Sequence, residues 1–322
     1  MVSRPCARDG VAAGVGLMLI GTLCATGADA SLKAVASDYA APQVLLIAAV
    51  LSILLSFAAN RGSDPRRVLR TGAPVAMAVR SVATVVAAIG FYQAFVRLPF
   101  AEVFLFIGLM PLLAAAFSGP MLGERVSWRV WVGLAIGFAG LIVLAPPVSD
   151  TVAWSGHLYA AMGSVAGTLS VVLCRHIGRN QTHSLAQVLL PQVAVALVML
   201  MFVPFTYLPM SGGDVGLVLL YSGLLFSGRW ILVIVTRLIP AWLSLQLMNL
   251  QFVWMAVLGV FVFNEPMAAN VFFGAALVAL AAVVLSFDLM ARKPGAAPVE
   301  AATTSRLRRA ATLVRNAASA GR

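Results

Sequence analysis

Between residues 11 and 287 the chain alternates long apolar runs with short stretches that carry its charges and turn formers. The runs cover 11–28, 42–59, 74–96, 99–121, 128–145, 153–174, 185–205, 215–235, 240–263 and 268–287. Each is close to the ~20 residues that a helix needs to cross the hydrocarbon of a bilayer. In lipid the backbone must satisfy its own hydrogen bonds, which leaves helices or closed barrels. These runs are too long and too evenly apolar for barrel strands. The pattern therefore predicts an all-α integral membrane protein with ten transmembrane helices. Pro42, Pro74, Pro99 and Pro240 stand at helix starts, where a missing N–H matters least. Pro111 and Pro191 fall inside spans and predict kinks there. Residues 1–28 also have the outline of a secretory signal ending at Ala28-Asp29-Ala30, but the count of spans requires that run to remain as the first helix.

The ten runs divide into two sets of five. Aligning Pro99 with Pro240 places Glu124 on Glu265 and Gly133 on Gly274 without a gap. An acidic residue in a short turn, nine residues before a glycine, thus recurs at one offset. Internal repetition of this kind is common in transporters. The expected organisation is an N-terminal tail at 1–10, five-helix repeats at 11–146 and 153–288, and a basic tail at 289–322. The link at 146–152, with two prolines and Asp150, separates the halves.

Composition agrees with a membrane class. Of 322 residues 61% are hydrophobic and 10% charged, against about 25% charged in soluble domains. The net charge of +11 resides in loops and the tail rather than on a folded basic face, which argues against nucleic acid as a partner. One set of loops holds Arg4, Arg8, Arg61, Arg66, Arg67, Arg70, Arg125, Arg129, Arg175, Arg179 and Arg237. The other holds only Lys33 and Arg97 as bases, with Asp38, Asp150, Asp214 and Glu265. The positive-inside rule then puts both termini in the cytoplasm, in the cell (inner) membrane. Five helices per half is an odd number, so the halves insert upside down relative to one another. The tail after residue 291 has an apolar stripe of Leu307, Ala311 and Val314 beside arginines, suited to an amphipathic helix on anionic lipid or to disorder.

The residues Arg97-Leu98-Pro99, Ala101-Glu102, Pro111, Leu122-Gly123-Glu124, Trp131, Gly133, Gly137 and Gly140 resemble the EamA domain of the drug/metabolite transporter superfamily. The resemblance covers residues 11–288 and implies ten-helix carriers built from two such domains. The second copy departs from it at Asn264-Glu265-Pro266, Val278 and Ala281. Asp29-Ala30-Ser31-Leu32-Lys33 and the helix of Arg80 are similar to riboflavin and S-adenosylmethionine carriers. Ile47-Ala48 stand where many of those have an arginine, which leaves the substrate open.

A charge inside a span is unfavourable by about 2.5–3.5 kcal/mol and calls for a reason. Arg80 and Arg229 lie about two turns inside the third and eighth helices, where they either snorkel to headgroups or form cationic groups in a central cavity. Thr84, Phe91 and Phe95 share the face of Arg80. Glu102, one turn into the fourth helix, and Asp29, nearer the edge of the first, are interfacial charges or cation and proton sites. Gln246 and Asn249 share a face of the ninth helix, for packing or for lining a path. Glu124 and Glu265 are placed to accept from helix-start N–H groups. The strip Gly133, Gly137, Gly140 leaves packing within the bundle and a homodimer both open.

The substrate-binding set expected from these residues is Arg80, Thr84, Phe91, Phe95, Glu102, Arg229, Gln246 and Asn249. The three histidines and three cysteines form no metal or disulfide pattern, and no HExxH, G-x-S-x-G or P-loop occurs. No catalytic residue, cofactor or metal is therefore expected. The function that follows is a secondary transporter of a small organic metabolite, amino-acid-like and zwitterionic or anionic, working by alternating access. A non-transporting membrane protein (channel, scaffold or intramembrane enzyme) is the alternative.

Overall fold

The computed structural model describes residues 7–36, 38–59, 71–98, 100–124, 126–144, 154–179, 184–254 and 269–291. Among them are helices and no strand. They are α1 (Ala7–Ala36), α2 (Ala41–Ala59), α3 (Pro74–Arg97), α4 (Phe100–Leu122), α5 (Trp128–Leu144), α6 (Trp154–Arg179), α7 (Ser184–Thr206), α8 (Gly212–Leu238), α9 (Ala241–Met248) and α10 (Ala269–Ala291). Seven described helices are long and apolar enough to cross a membrane; stretches within α5 and α10 qualify as shorter apolar helices. The 146–152 link, Glu265 and the tail beyond residue 291 lie outside the described residues.

The outer surface is apolar, as a lipid-dissolved chain requires. Leu54, Phe205 and Phe287 are each more than half exposed, whereas Thr22, Thr168, Ser222 and Ser244 are fully buried. Several buried hydroxyls bond the preceding turn: Thr26 donates to the Thr22 carbonyl at 2.9 Å, Ser56 to that of Ser52 at 2.7 Å and Thr168 to that of Ser164 at 2.7 Å.

The main helix packings are α1 on α8, α3 on α6, α2 on α7 and α5 on α10, with α4 set against both α6 and α9. Small residues allow close approach. A Cβ on Gly90 of α3 would lie 2.9 Å from the Gly163 Cα of α6. Along α1 and α8, Gly14 meets Ile239, Gly21 meets Ile231 and Gly27 meets Leu224, so the two helices run antiparallel. The α5 glycine strip faces inward: Gly133 against Leu285, Gly137 against Gln246 and Ala281, Gly140 against Leu277 and the Gly274 carbonyl. Its small residues seat α10 and α9.

Three local features depart from the sequence expectation. Helix α1 runs through Ala28-Asp29-Ala30 to Ala36 instead of ending at residue 28. The span expected at 240–263 is interrupted: α9 stops at Met248, the Asn249 N–H bonds the carbonyls of Leu245 and Gln246, and Leu250 N–H reaches Leu247 at 3.0 Å. These shorter i to i−3 bonds tighten the turn and mark a local break. Residues 255–263 of that span lie outside the described residues. Lastly, Glu124 does not cap α5. Gly123, with φ of 66°, ends α4 in the left-handed conformation that glycine tolerates, and its N–H bonds the Gly119 carbonyl at 3.0 Å. The chain reverses there and delivers Glu124 to Arg175 and Arg179 on α6.

Candidate functional site

A cavity of about 280 Å³ lies among α1, α2, α3, α4, α6, α7, α8 and α9. That is at the low end of the roughly 300–1,000 Å³ usual for ligand pockets, so it suits a small metabolite. The face of α3 supplies Arg80, Thr84, Phe91, Tyr92 and Phe95, spaced by helical turns. Arg229 faces them from α8.

Arg80 is 8% exposed, and its Nη1 donates to Gln187 Oε1 on α7 at 2.8 Å. Its Nε and the Gln187 Nε2 have no hydrogen-bond partner. A guanidinium carries five donors, so this one retains capacity for a ligand. Thr84 bonds Ser170 of α6 at 2.8 Å and the Arg80 carbonyl at 2.8 Å, which joins α3 to α6 beside the arginine. Arg229 stands close enough to Arg80 for the two charges to repel. Neither has an ion-pair partner among the described residues.

The cavity is tied at both ends. At one end Arg175 Nε donates to Glu124 Oε1 at 2.7 Å and Arg179 Nη2 to the same oxygen at 2.5 Å. Arg175 Nη1 also donates to the Thr236 carbonyl at 2.8 Å and to that of Ile239, and Arg179 Nη1 to Leu122 at 2.9 Å. This knot fastens the ends of α4, α6 and α8, one turn beyond cavity residues Val171 and Leu232. At the other end the Tyr39 hydroxyl donates to Asp214 at 2.7 Å, and Tyr92, a cavity residue, donates to the Tyr39 carbonyl at 2.6 Å. Gln43 and Leu208 exchange two bonds, at 2.7 and 3.0 Å. The hydrogen bond to Asp214 favours the protonated phenol and raises the Tyr39 pKa.

Three of the residues expected to bind substrate lie elsewhere. Glu102 is 8% exposed and pairs with His157 Nε2 at 3.2 Å, with the His157 ring edge-on to Phe106. The pair joins α4 to α6 outside the cavity because the first turn of α4 faces α6. Gln246 turns its amide onto Gly137, where a Cβ would clash with Nε2. Asn249 is buried with neither side-chain polar atom bonded. Leu245 and Met248 of α9, and Gln251 beyond the break, are the residues of this segment that line the cavity.

Sequence reasoning missed Gln187 and Ser170, and left Asp29 open between an interfacial charge and a cation or proton site; it lines the cavity. A signal for the first existed: Gln187 and Gln192 flank Pro191 in an otherwise apolar helix. Among the described residues, no group of three or more His, Cys, Asp or Glu side chains is placed to hold a metal.

Residues 12–145 match the family model described as EamA-like transporter family. No curated protein sequence matches the chain. A solved structure, titled only as the crystal structure of a protein, superposes with a TM-score of 0.70 at 20% identity. The match covers 84% of this chain and 97% of that one. At that identity the likeness speaks for the fold alone. Together with the apolar helices, the family match supports a multi-pass membrane protein.

Proposed function

We propose, from the match of residues 12–145 to the EamA-like transporter family, that the chain is a secondary transporter. It moves a small amino-acid-like metabolite, zwitterionic or anionic, across the cytoplasmic membrane by alternating access. The observation that carries this reading is the pair Arg80 and Arg229, on helices from opposite halves of the sequence, facing one cavity without a counter-ion among the described residues. Two desolvated guanidiniums are best satisfied by a bidentate anion such as a carboxylate. Phe91 and Phe95 offer surface to an apolar body.

The transport mechanism rests on architecture. We read ten spans as two inverted five-helix repeats, at 11–146 and 153–288. The pairs α1·α8 and α3·α6 exchange under such symmetry, while α2·α7, α4·α9 and α5·α10 map onto themselves. Arg80, near the start of α3, meets Arg229, near the end of α8, as helices of opposite direction require. Breaking the Glu124 knot and the Tyr39–Asp214 tie in turn would open the cavity to each side. Both termini would then be cytoplasmic.

The test is ligand stabilisation of the purified protein. Small carboxylates should raise the melting temperature of the parent and of neither Arg80→Gln nor Arg229→Gln, with Arg80→Lys intermediate because it keeps charge but loses the fork. Equal stabilisation in parent and both glutamine variants would make the arginines lipid anchors and remove the reading.

A further inference from the structure

The second pole of the cavity is Asp29. The contacts of Gly14, Gly21 and Gly27 set the register of α1 on α8, with paired residue numbers summing to about 252. Asp29 is therefore level with residue 223, and Arg229 with residue 23. Six residues of helix, ~9 Å of axis, separate the two levels, yet both side chains line the same cavity. Among the described residues Asp29 makes no hydrogen bond and no ion pair. Tyr221 is its near polar neighbour on α8. Leu225 of α8 lies between the two levels, and Phe91 and Tyr92 of α3 add aromatic surface to the cavity wall. A carboxylate in a membrane-spanning helix without a protein partner is unfavourable unless something cationic meets it. Neither arginine forms an ion pair with it.

We propose that the ligand is an elongated zwitterion, its anionic group on Arg80 and Arg229, its ammonium on Asp29, with an apolar chain between them. An α-amino acid, whose charged groups share one carbon, engages one pole at a time. An ω-amino acid with several methylenes reaches both. This rests on the reading that the arginines hold the ligand's anionic group, and it adds the identity of the opposite pole and the spacing of the charges.

The experiment measures stabilisation of the full chain in detergent by glycine, β-alanine, γ-aminobutyrate and ε-aminocaproate, with hexanoate as the chain lacking an ammonium. Apparent affinity should rise along the series, ε-aminocaproate exceeding hexanoate by about tenfold. In Asp29→Asn that advantage should vanish while hexanoate still binds, and Asp29→Glu should keep most of it. Affinity independent of chain length, hexanoate equal to ε-aminocaproate in the parent, or an advantage that survives in Asp29→Asn would each overturn the inference alone. If no carboxylate stabilises the parent, the anion reading itself falls and takes the inference with it.

Discussion

Gly90 on α3 crosses Gly163 on α6 with no room for a methyl group. A Cβ there would lie 2.9 Å from the Gly163 Cα, the Gly163 nitrogen and the Tyr159 carbonyl oxygen. Favourable carbon contacts are about 3.5–4.0 Å, so Gly90→Ala must push the helices apart by about 0.6–1 Å. All three atoms are backbone, and no rotamer can relieve them. Overpacking of this kind costs about 1–3 kcal/mol, and the rigid contacts favour the upper figure. Replacing glycine within a helix returns about 1 kcal/mol, which leaves a net loss of about 1–2 kcal/mol. At about 2–4 °C per kcal/mol for a chain of this order, the melting temperature should drop by about 2–8 °C. The comparison variant is Gly223→Ala on α8, where a Cβ meets nothing within 4 Å and the helix-propensity gain stands alone. Thermal unfolding of both, purified in the same detergent and followed by circular dichroism, decides the matter. The separation also stretches the Thr84–Ser170 bond of 2.8 Å beside the cavity, so ligand stabilisation should weaken in Gly90→Ala. If Gly90→Ala melts at or above Gly223→Ala, the α3–α6 crossing is not the tight joint described.

Four further outcomes follow from the same structure. Glu124→Ala should destabilise by about 2 kcal/mol, since it leaves the largely buried Arg175 without its ion pair, and Arg175→Ala by less, since Glu124 keeps Arg179; the double variant should lose less than the sum, and strict additivity in chemical or thermal unfolding would deny the coupling. Tyr39→Phe removes the bond to Asp214. Because the folded pKa of Tyr39 is raised, its stabilisation is complete below its ordinary value of about 10 and is lost as pH rises through the raised value, so the variant should show a flatter alkaline fall in melting temperature; parallel curves would argue against it. Gly137→Leu should unseat Gln246 and destabilise more than Gly216→Leu, which meets nothing within 4 Å; equal melting temperatures would refute that packing. With the native cysteines replaced, cysteine at Asp38 or Asp214 should react with an impermeant thiol reagent outside whole cells and cysteine at Arg129 should not; the reverse would invert the proposed orientation.

The division between what the chain displays and what folding adds is plain at particular residues. The helices at 42–59 and 74–96 were legible to within a residue or so, because lipid forces each apolar run to satisfy its own backbone and turn prolines mark its start. The common face of Arg80, Thr84, Phe91 and Phe95 was legible too, since helical spacing alone sets it. Nothing local could show that Arg80 leans on Gln187, 107 residues away. Nor could it show that Glu102 meets His157 instead of the cavity. Asp29 looked like an edge residue because its sequence neighbours end an apolar run. The glycine contacts between α1 and α8 carry it into the cavity wall. In a membrane every helix is apolar all round, so amphipathic pattern does not reveal which face meets a partner. That choice falls to small residues such as Gly90 and Gly137, whose close approaches exist only once two helices cross, and so the site was decided by tertiary packing.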